Sequence, residues 1–394
     1  MPETTTESWR NELKSWVTRA ASSVDDVADA GMRRLRKRLG RSGKPKIQAY
    51  RGYRSGDAVR VHGRILTNPP LNPDFQNDQW WHNLSNTVQR FASDEVPGVR
   101  IRAALGSATA TAVSDAEGYF HLDLPCDQPL SENLFWSSAQ LCIIDHDGQP
   151  VSGTDTTAPF LQVSGGAQYA VISDVDDTIL HTGATDLTTM AKLTFFANAR
   201  TRAPLEGVAG LYESLQHGGH LHDPPRNPIF YISSSPWNLY DLLEDFLELN
   251  AIPHGPLLLR DLGFDQNKFL KAGHEHKLHK AKELVERFEG LPFVLFGDSG
   301  QEDARLYSLL AEAHPSRIKA IFIRDIDPAE DSVHDEKVAR HVRRSEAAGV
   351  PMHLVRDSIA VAELACQHGL LPTSAKEAIV KATHRDKQRK AGLV

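Results

Sequence analysis

Apolar residues over the first forty positions recur at helical spacing. Trp9, Leu13, Trp16, Val17, Ala20, Val24, Val27, Ala28, Met32 and Leu35 form one stripe of a helix expected over residues 8–39. Arg33, Arg34, Arg36, Lys37, Arg38, Arg41, Lys44 and Lys46 follow with no acidic residue among them, and Gly40, Gly43 and Pro45 break the pattern. Residues 1–46 therefore read as a basic amphipathic helix, the pattern of an element that lies in a membrane interface. A helix packed on a neighbouring domain, or paired with another copy, would show the same stripe.

From residue 47 the period shortens to two. Ala58-Val59-Arg60-Val61-His62-Gly63 alternates, as does Val99-Arg100-Ile101-Arg102, and Ser114-Asp115-Ala116-Glu117-Gly118 is a turn leading into a strand at Tyr119-Phe120. Short strands with polar turns predict a β-sandwich domain over residues 47–165, with a long loop over 69–93. Over residues 166–372 short apolar strands (169–173, 229–233, 256–259, 293–296, 320–323 and 352–355) alternate with helical stretches such as 239–249, 279–288 and 303–313. That rhythm predicts an α/β fold with a doubly wound parallel sheet, whose binding site lies at the carboxyl ends of the strands. Residues 373–394 read as a basic tail.

Composition narrows the classes. The chain has 394 residues, enough for two sizeable cores, and its net charge of -7 argues against a nucleic-acid binder. Three cysteines, an odd number without CxxC spacing, point to a reducing compartment. The first residues lack the apolar core of a signal peptide, and no apolar run is long enough for a transmembrane segment. A cytoplasmic location is expected, with a peripheral place on the inner membrane surface if the first helix binds lipid.

The chemistry gathers at strand ends. The apolar strand Tyr169-Ala170-Val171-Ile172 runs into Ser173-Asp174-Val175-Asp176-Asp177-Thr178. Carboxylates clustered at the end of a buried strand need positive charge to neutralise them, and hard oxygen ligands at close quarters suit Mg²⁺. An aspartate beside such a metal can attack phosphorus and form an acyl-phosphate, while a second aspartate handles protons. A turn with helix-capping aspartates is the plainer reading of these residues alone. Three further elements weigh against it. Ile229-Phe230-Tyr231-Ile232 ends in Ser233-Ser234-Ser235-Pro236-Trp237, where a hydroxyl can meet a phosphoryl oxygen. Lys277 stands at the head of a helical stretch, where it can neutralise a phosphoryl group. Phe293-Val294-Leu295-Phe296 ends in Gly297-Asp298-Ser299-Gly300-Gln301-Glu302-Asp303. His274, His276 and His279 lie on one short segment and read as a solvated loop rather than a zinc site.

In this order the motifs resemble those of the haloacid dehalogenase-like phosphatases. The stretches Ser173-Asp174-Val175-Asp176-Asp177-Thr178-Ile179, Ser233-Ser234-Ser235-Pro236-Trp237-Asn238-Leu239-Tyr240 and Phe296-Gly297-Asp298-Ser299-Gly300 are most similar to the actin-patch-type phosphatidate phosphatases. The resemblance covers roughly residues 169–326. It implies a Mg²⁺-dependent hydrolysis of phosphatidate to diacylglycerol and phosphate through a phospho-aspartate. Asp174 would be the nucleophile and Asp176 the general acid/base, with Thr178 closing the first motif. Ser234, with Ser233 as its rival, would bind the phosphoryl group, and Lys277, with Lys280 as its rival, would neutralise it. Mg²⁺ would be held by Asp174, the Asp176 carbonyl and Asp298, supported by Asp303. His181, Ser233 and Trp237 are the expected substrate contacts, and an anionic phospholipid surface is the expected partner; the sequence names no protein partner. Two alternatives remain at this stage: a phosphatase of another phosphoester, and an inert interaction protein that uses its β-domain.

Overall fold

The computed structural model describes residues 44–67, 95–126, 134–163, 165–180, 204–220, 225–260, 275–326 and 333–391. The expected N-terminal helix, the 69–93 loop and His181 lie outside these residues. Eight strands come first: β1 (Lys46–Ala49), β2 (Gly52–Ser55), β3 (Ala58–Leu66), β4 (Arg100–Leu105), β5 (Ala108–Val113), β6 (Tyr119–Pro125), β7 (Trp136–Ile144) and β8 (Thr156–Leu161).

These strands correct the fold class expected from the sequence. They do not form a sandwich of two sheets, and the chain is not an α/β fold with a sandwich appended. One eight-stranded sheet runs in the order β1-β3-β2-β8-β7-β4-β5, with β6 on the other edge of β3. It is mixed, because β2 and β8 run parallel while the other pairs are antiparallel. It curls until β5 lies against β6, around a core that includes Val61, Ile65, Ile101, Phe120, Leu141 and Phe160. The long strand β3 is the physical reason. Its residues pair with β1 and β2 on one edge and with β6 on the other, so what would be two sheets becomes one. Alternation sets which face of a strand is buried and leaves open which edge it pairs with.

A separate six-stranded sheet follows, all parallel, in the order β11-β10-β9-β12-β13-β14. Its strands are β9 (Ala170–Asp174), β10 (Ile229–Pro236), β11 (Leu257–Arg260), β12 (Phe293–Asp298), β13 (Ile318–Arg324) and β14 (Met352–Val355). Both faces are covered, which is why these strands are apolar runs rather than alternating ones. One face packs on α1 (Val208–Gln216), α2 (Tyr240–Leu249), α6 (Ser358–Gln367) and α7 (Thr373–Ala391). The other packs on α3 (Glu275–Arg287), α4 (Asp303–Ala313) and α5 (Val333–Ala347). Strand β9 is buried along its whole length between β10 and β12. The chain leaves β9 toward β10 on one side and returns to β12 on the other. The carboxyl ends of these three strands therefore border one crevice.

The two sheets share cores. Tyr50 and Tyr119 join the cluster on one face of the parallel sheet, and Tyr53 and Leu161 join the other. Gln48 Nε2 donates to Asp241 at 2.6 and 2.7 Å, Arg51 pairs with Glu244 at 2.6 Å, and Arg60 with Glu283 at 2.7 Å. His62 is buried in this junction, edge-on to the Trp237 ring at 5.0 Å. Burial pushes its imidazole well below its ordinary value, with the positive fields of His121, Arg60 and Lys280 in the same direction. The unfolded chain thus accepts a proton that the folded one refuses, and stability falls as pH drops through about 6.5. His62→Phe should flatten the fall in melting temperature between about pH 7 and pH 5. An unchanged slope in scanning fluorimetry would assign that fall to other groups.

Candidate active site

Strand β9 ends on Asp174, fully buried with Ser173 beside it. Ser173 Oγ lies 2.6 Å from Tyr212 Oη of α1 and donates to the Asp174 carbonyl at 2.6 Å, so the strand end is fixed from one face of the sheet. The chain then turns tightly. Asp177 takes φ +52°, and its N–H donates to the Leu180 carbonyl at 2.8 Å. Asparagine and aspartate tolerate this left-handed conformation better than most side chains. The turn keeps Asp176, Asp177 and Thr178 buried at the strand end.

The neighbouring elements add the remaining groups. Strand β12 ends in Gly297-Asp298. A Cβ at Gly297 would lie 2.6 Å from the Cβ of Asp303, so only glycine lets these elements approach so closely. Asp298 Oδ1 accepts from the Gly300 and Gln301 N–H groups at 2.7 and 2.8 Å. Asp303, in the first turn of α4, accepts through Oδ2 from the Asp298 N–H at 3.3 Å. Helix α3 inserts Lys277 from the same side. Its Nζ lies 2.7 Å from Asp174 Oδ1 and 2.9 Å from Asp303 Oδ1, and it donates to Gln301 Oε1 at 3.2 Å. Strand β10 supplies Ser233, whose Oγ donates to Asp176 Oδ2 at 3.3 Å and accepts from the Ser235 N–H at 2.9 Å.

Charge dominates this arrangement. Asp174, Asp176, Asp177, Asp298 and Asp303 are all buried, and Lys277 is buried with them, paired to Asp174 and Asp303. Desolvation drives the Asp174 carboxyl well above the usual range. Lys277 opposes the shift, and the fields of Asp303, Asp176 and Asp298 add to it. Asp298 is raised for the same first reason, with Asp303 next. Burial works against the Lys277 charge, yet Asp174, Asp303 and Asp298 outweigh it and hold the ammonium protonated above its ordinary range.

Asp174, Asp298 and Asp303 each offer an oxygen within 4.8 Å of the others. Among the described residues, Asp174 Oδ2 and Asp298 Oδ2 are buried without a hydrogen-bond partner. Carboxylate oxygens, crowded, unpaired and in excess of positive charge, are the donor set of a hard divalent cation. The residues present therefore fit a metal.

The other expected site residues are placed as follows. Ser234 is half-buried, next to fully buried Ser233. Lys280 bonds the Leu259 carbonyl and stands 5.8 Å from the Trp237 ring centre, away from the carboxylates that Lys277 joins. Trp237, an expected substrate contact, is buried and stacked on Tyr50 with ring centres 4.9 Å apart. Thr178 lines a pocket of about 310 Å³, counted to its open mouth, together with Tyr212, Gly297, Phe322 and Arg324. Sequence reading missed Gln301 and Tyr212. Gln301 lies inside the quoted Gly297–Asp303 stretch, so its position was the available signal. Tyr212 carries no local signal and reaches Ser173 only through the packing of α1.

Addition of Mg²⁺ should raise the melting temperature of the wild-type protein, because binding to the folded state alone stabilises it. Burial raises the Asp174 and Asp298 carboxyls, so protons compete with a cation for their oxygens more strongly as pH falls. The Mg²⁺ effect should therefore be larger at about pH 8 than at about pH 5. Asp298→Asn should abolish the Mg²⁺ shift without lowering the metal-free melting temperature, since it removes a buried like charge. A full Mg²⁺ shift in Asp298→Asn would exclude this carboxylate as a ligand.

Comparison with known proteins follows the same residues. Residues 169–325 match the family model described as the catalytic domain of phosphatidate phosphatase APP1. Phosphatidate phosphatase APP1 of Saccharomyces cerevisiae is 27% identical over 287 residues, covering 70% of this chain and 47% of that protein. An uncharacterized protein of Schizosaccharomyces pombe is 24% identical over 302 residues, covering 72% of this chain and 48% of its own. The chain thus spans about half the length of the curated relatives it matches. A solved carbohydrate acetylesterase of Xanthomonas citri aligns over 86% of this chain and 74% of that one, at 9% identity. Its TM-score of 0.30 carries no argument. Asp174, Asp298 and the Ser233 turn all lie inside the region, residues 169–325, that is similar to the phosphatidate phosphatase APP1 catalytic domain.

Proposed function

We propose that this chain is a Mg²⁺-dependent phosphatidate phosphatase that works through a phospho-aspartate on Asp174. The observation that carries the reading is the contact of Lys277 Nζ with both Asp174 and Asp303, at 2.7 and 2.9 Å, beside the unpaired oxygens of Asp174 and Asp298. An ionised carboxylate that is expensive to bury is held beside a cation, where it can act as a nucleophile. The match to the phosphatidate phosphatase APP1 family supports the substrate class. An inert interaction protein would have no use for so much buried like charge.

An Asp174 oxygen attacks phosphorus, forming an acyl-phosphate as the P–O ester bond breaks. The leaving alkoxide takes a proton from Asp176 and departs as diacylglycerol. Asp176 then takes a proton from water, whose oxygen attacks phosphorus, releasing orthophosphate and restoring the Asp174 carboxylate. Ser233 donates to Asp176 and holds it in place for both transfers. Lys277 balances charge on the phosphoryl oxygens. Asp174, the Asp176 carbonyl and Asp298, with Asp303 in support, would hold Mg²⁺, which would supply further neutralisation of the phosphoryl charge.

Asp174→Asn should abolish turnover while the protein stays folded, because an amide cannot form the phospho-enzyme. Asp176→Asn should keep some activity on para-nitrophenyl phosphate but lose at least about a hundredfold on phosphatidate, whose alkoxide needs the proton more. Release of phosphate from mixed micelles and from the aryl ester measures both. Equal losses on the two esters would remove Asp176 from the proton transfers.

The N-terminal stripe and basic run belong to the same reading. Among the described residues no helix is long and apolar enough to cross a membrane. A substrate embedded in a bilayer would instead be met at the surface, on the cytoplasmic side. Basic residues near an anionic surface contribute about 1 kcal/mol each, screened by salt. Deletion of residues 1–44 should reduce co-sedimentation with anionic liposomes and lower activity on them, while sparing activity on the soluble ester. Undiminished sedimentation of the shortened chain would end the surface-binding idea.

A further inference from the structure

The turn that carries Ser233 is gripped from outside its own sheet. Arg64, on β3 of the eight-stranded sheet, has a buried side chain with every arm engaged. Its Nη1 donates to Asn238 Oδ1 at 2.6 Å, its Nη2 to Glu95 Oε1 at 2.6 Å, and its Nε to the Glu117 carbonyl at 2.9 Å. The guanidinium stands 4.5 Å from the centre of the Tyr119 ring. Tyr119 Oη also donates to Asn238 Oδ1, at 2.9 Å. One carbonyl oxygen of Asn238 thus receives two hydrogen bonds, both from the other sheet. Its neighbour Trp237 lies flat on Tyr50, with ring planes 7° apart. Tyr240 Oη accepts from the Arg51 N–H at 2.8 Å.

These contacts sit only a few residues beyond Ser233, and Pro236 between them stiffens the connection. Strand β10 shifts register against β11 between Ile232 and Pro236, so its own sheet holds this stretch less regularly than the rest. The eight-stranded sheet makes up the difference. We infer that Arg64 and Tyr119 are positioning residues for the catalytic turn, fixing Asn238 and through it Ser233 against Asp176. The inference rests on the proposed role of Asp176 in proton transfer. It makes the eight-stranded sheet part of the catalytic apparatus rather than a separate binding module.

Positioning and mere packing separate by leaving group. A looser Ser233 turn misplaces Asp176, which matters for an alkyl ester and little for an aryl ester whose phenolate departs unaided. Tyr119→Phe removes the hydrogen bond to Asn238 and keeps the ring beneath Arg64. It should lower kcat on a short-chain soluble phosphatidate about tenfold, with KM within about twofold and kcat on para-nitrophenyl phosphate within about threefold. Arg64→Gln should behave the same way with a larger effect. In an Asn238→Ala background it should no longer change the ratio of the two kcat values, because the path through Asn238 is already cut. Parallel losses on both esters, tracking the fraction unfolded at the assay temperature, would show packing alone and overturn the inference. So would full activity of Tyr119→Phe on both esters, or additive effects of Arg64→Gln and Asn238→Ala on the ratio. If the wild-type chain hydrolyses neither ester, the phosphatase reading itself fails and this inference falls with it.

Discussion

Like charge brought together in the dry interior is the constraint around which this molecule is arranged. Asp174, Asp298 and Asp303 converge within 4.8 Å, and the buried Lys277 reaches Asp174 and Asp303. Burying a carboxylate favours its protonated form, and two more carboxylates nearby favour it further. A site of this kind costs stability in the empty protein. It becomes tolerable through Lys277 and through the backbone N–H groups of Gly300 and Gln301, and in the proposed function a cation and a phosphoryl group would enter it. The glycine at 297 follows from the same constraint, since a side chain there would keep Asp303 out.

Holding such a cluster needs rigid supports on all sides, and the two sheets provide them. Strand β9 cannot shift, because it is hydrogen-bonded to β10 and β12 and covered on both faces. Tyr212 fixes Ser173 from one face, while α3 and α4 bring Lys277 and Asp303 from the other. The Ser233 turn lies where the regular pairing of β10 gives way. There the eight-stranded sheet takes over, through Arg64, Tyr119 and Tyr50. Trp237 shows the consequence: an aromatic beside this turn packs at the junction between the sheets, against Tyr50 and His62.

The elements themselves could be read from the order of residues. A continuous apolar run such as Val171-Ile172 can be buried on both faces only as a central strand or an inner helix, and its short length before three aspartates decides for the strand. The strand expected at 293–296 is the core of β12, and the helix expected at 303–313 is α4. Acidic residues directly after such strands also stand out, because they contradict burial. The arrangement of the first eight strands could not be read in this way. Period-two alternation in β3 buries the same side chains whether it belongs to a sandwich or to a single curled sheet, and the choice lies in edge hydrogen bonds to β1, β2 and β6.

The sequence by itself determined which residues carry charge and hydroxyl groups at strand ends, and in what order, because local burial and turn chemistry depend on neighbours in the chain. Only the tertiary structure decided which of those groups meet. Lys277 rather than Lys280 joins Asp174, and Ser233 contacts Asp176, because helix phase and strand register aim side chains to within an ångström, which no spacing along the chain specifies. Arg64 and Asn238, 174 positions apart, were likewise invisible as a pair. Each has an ordinary local setting, and their relation exists only where two separately built sheets close on one another.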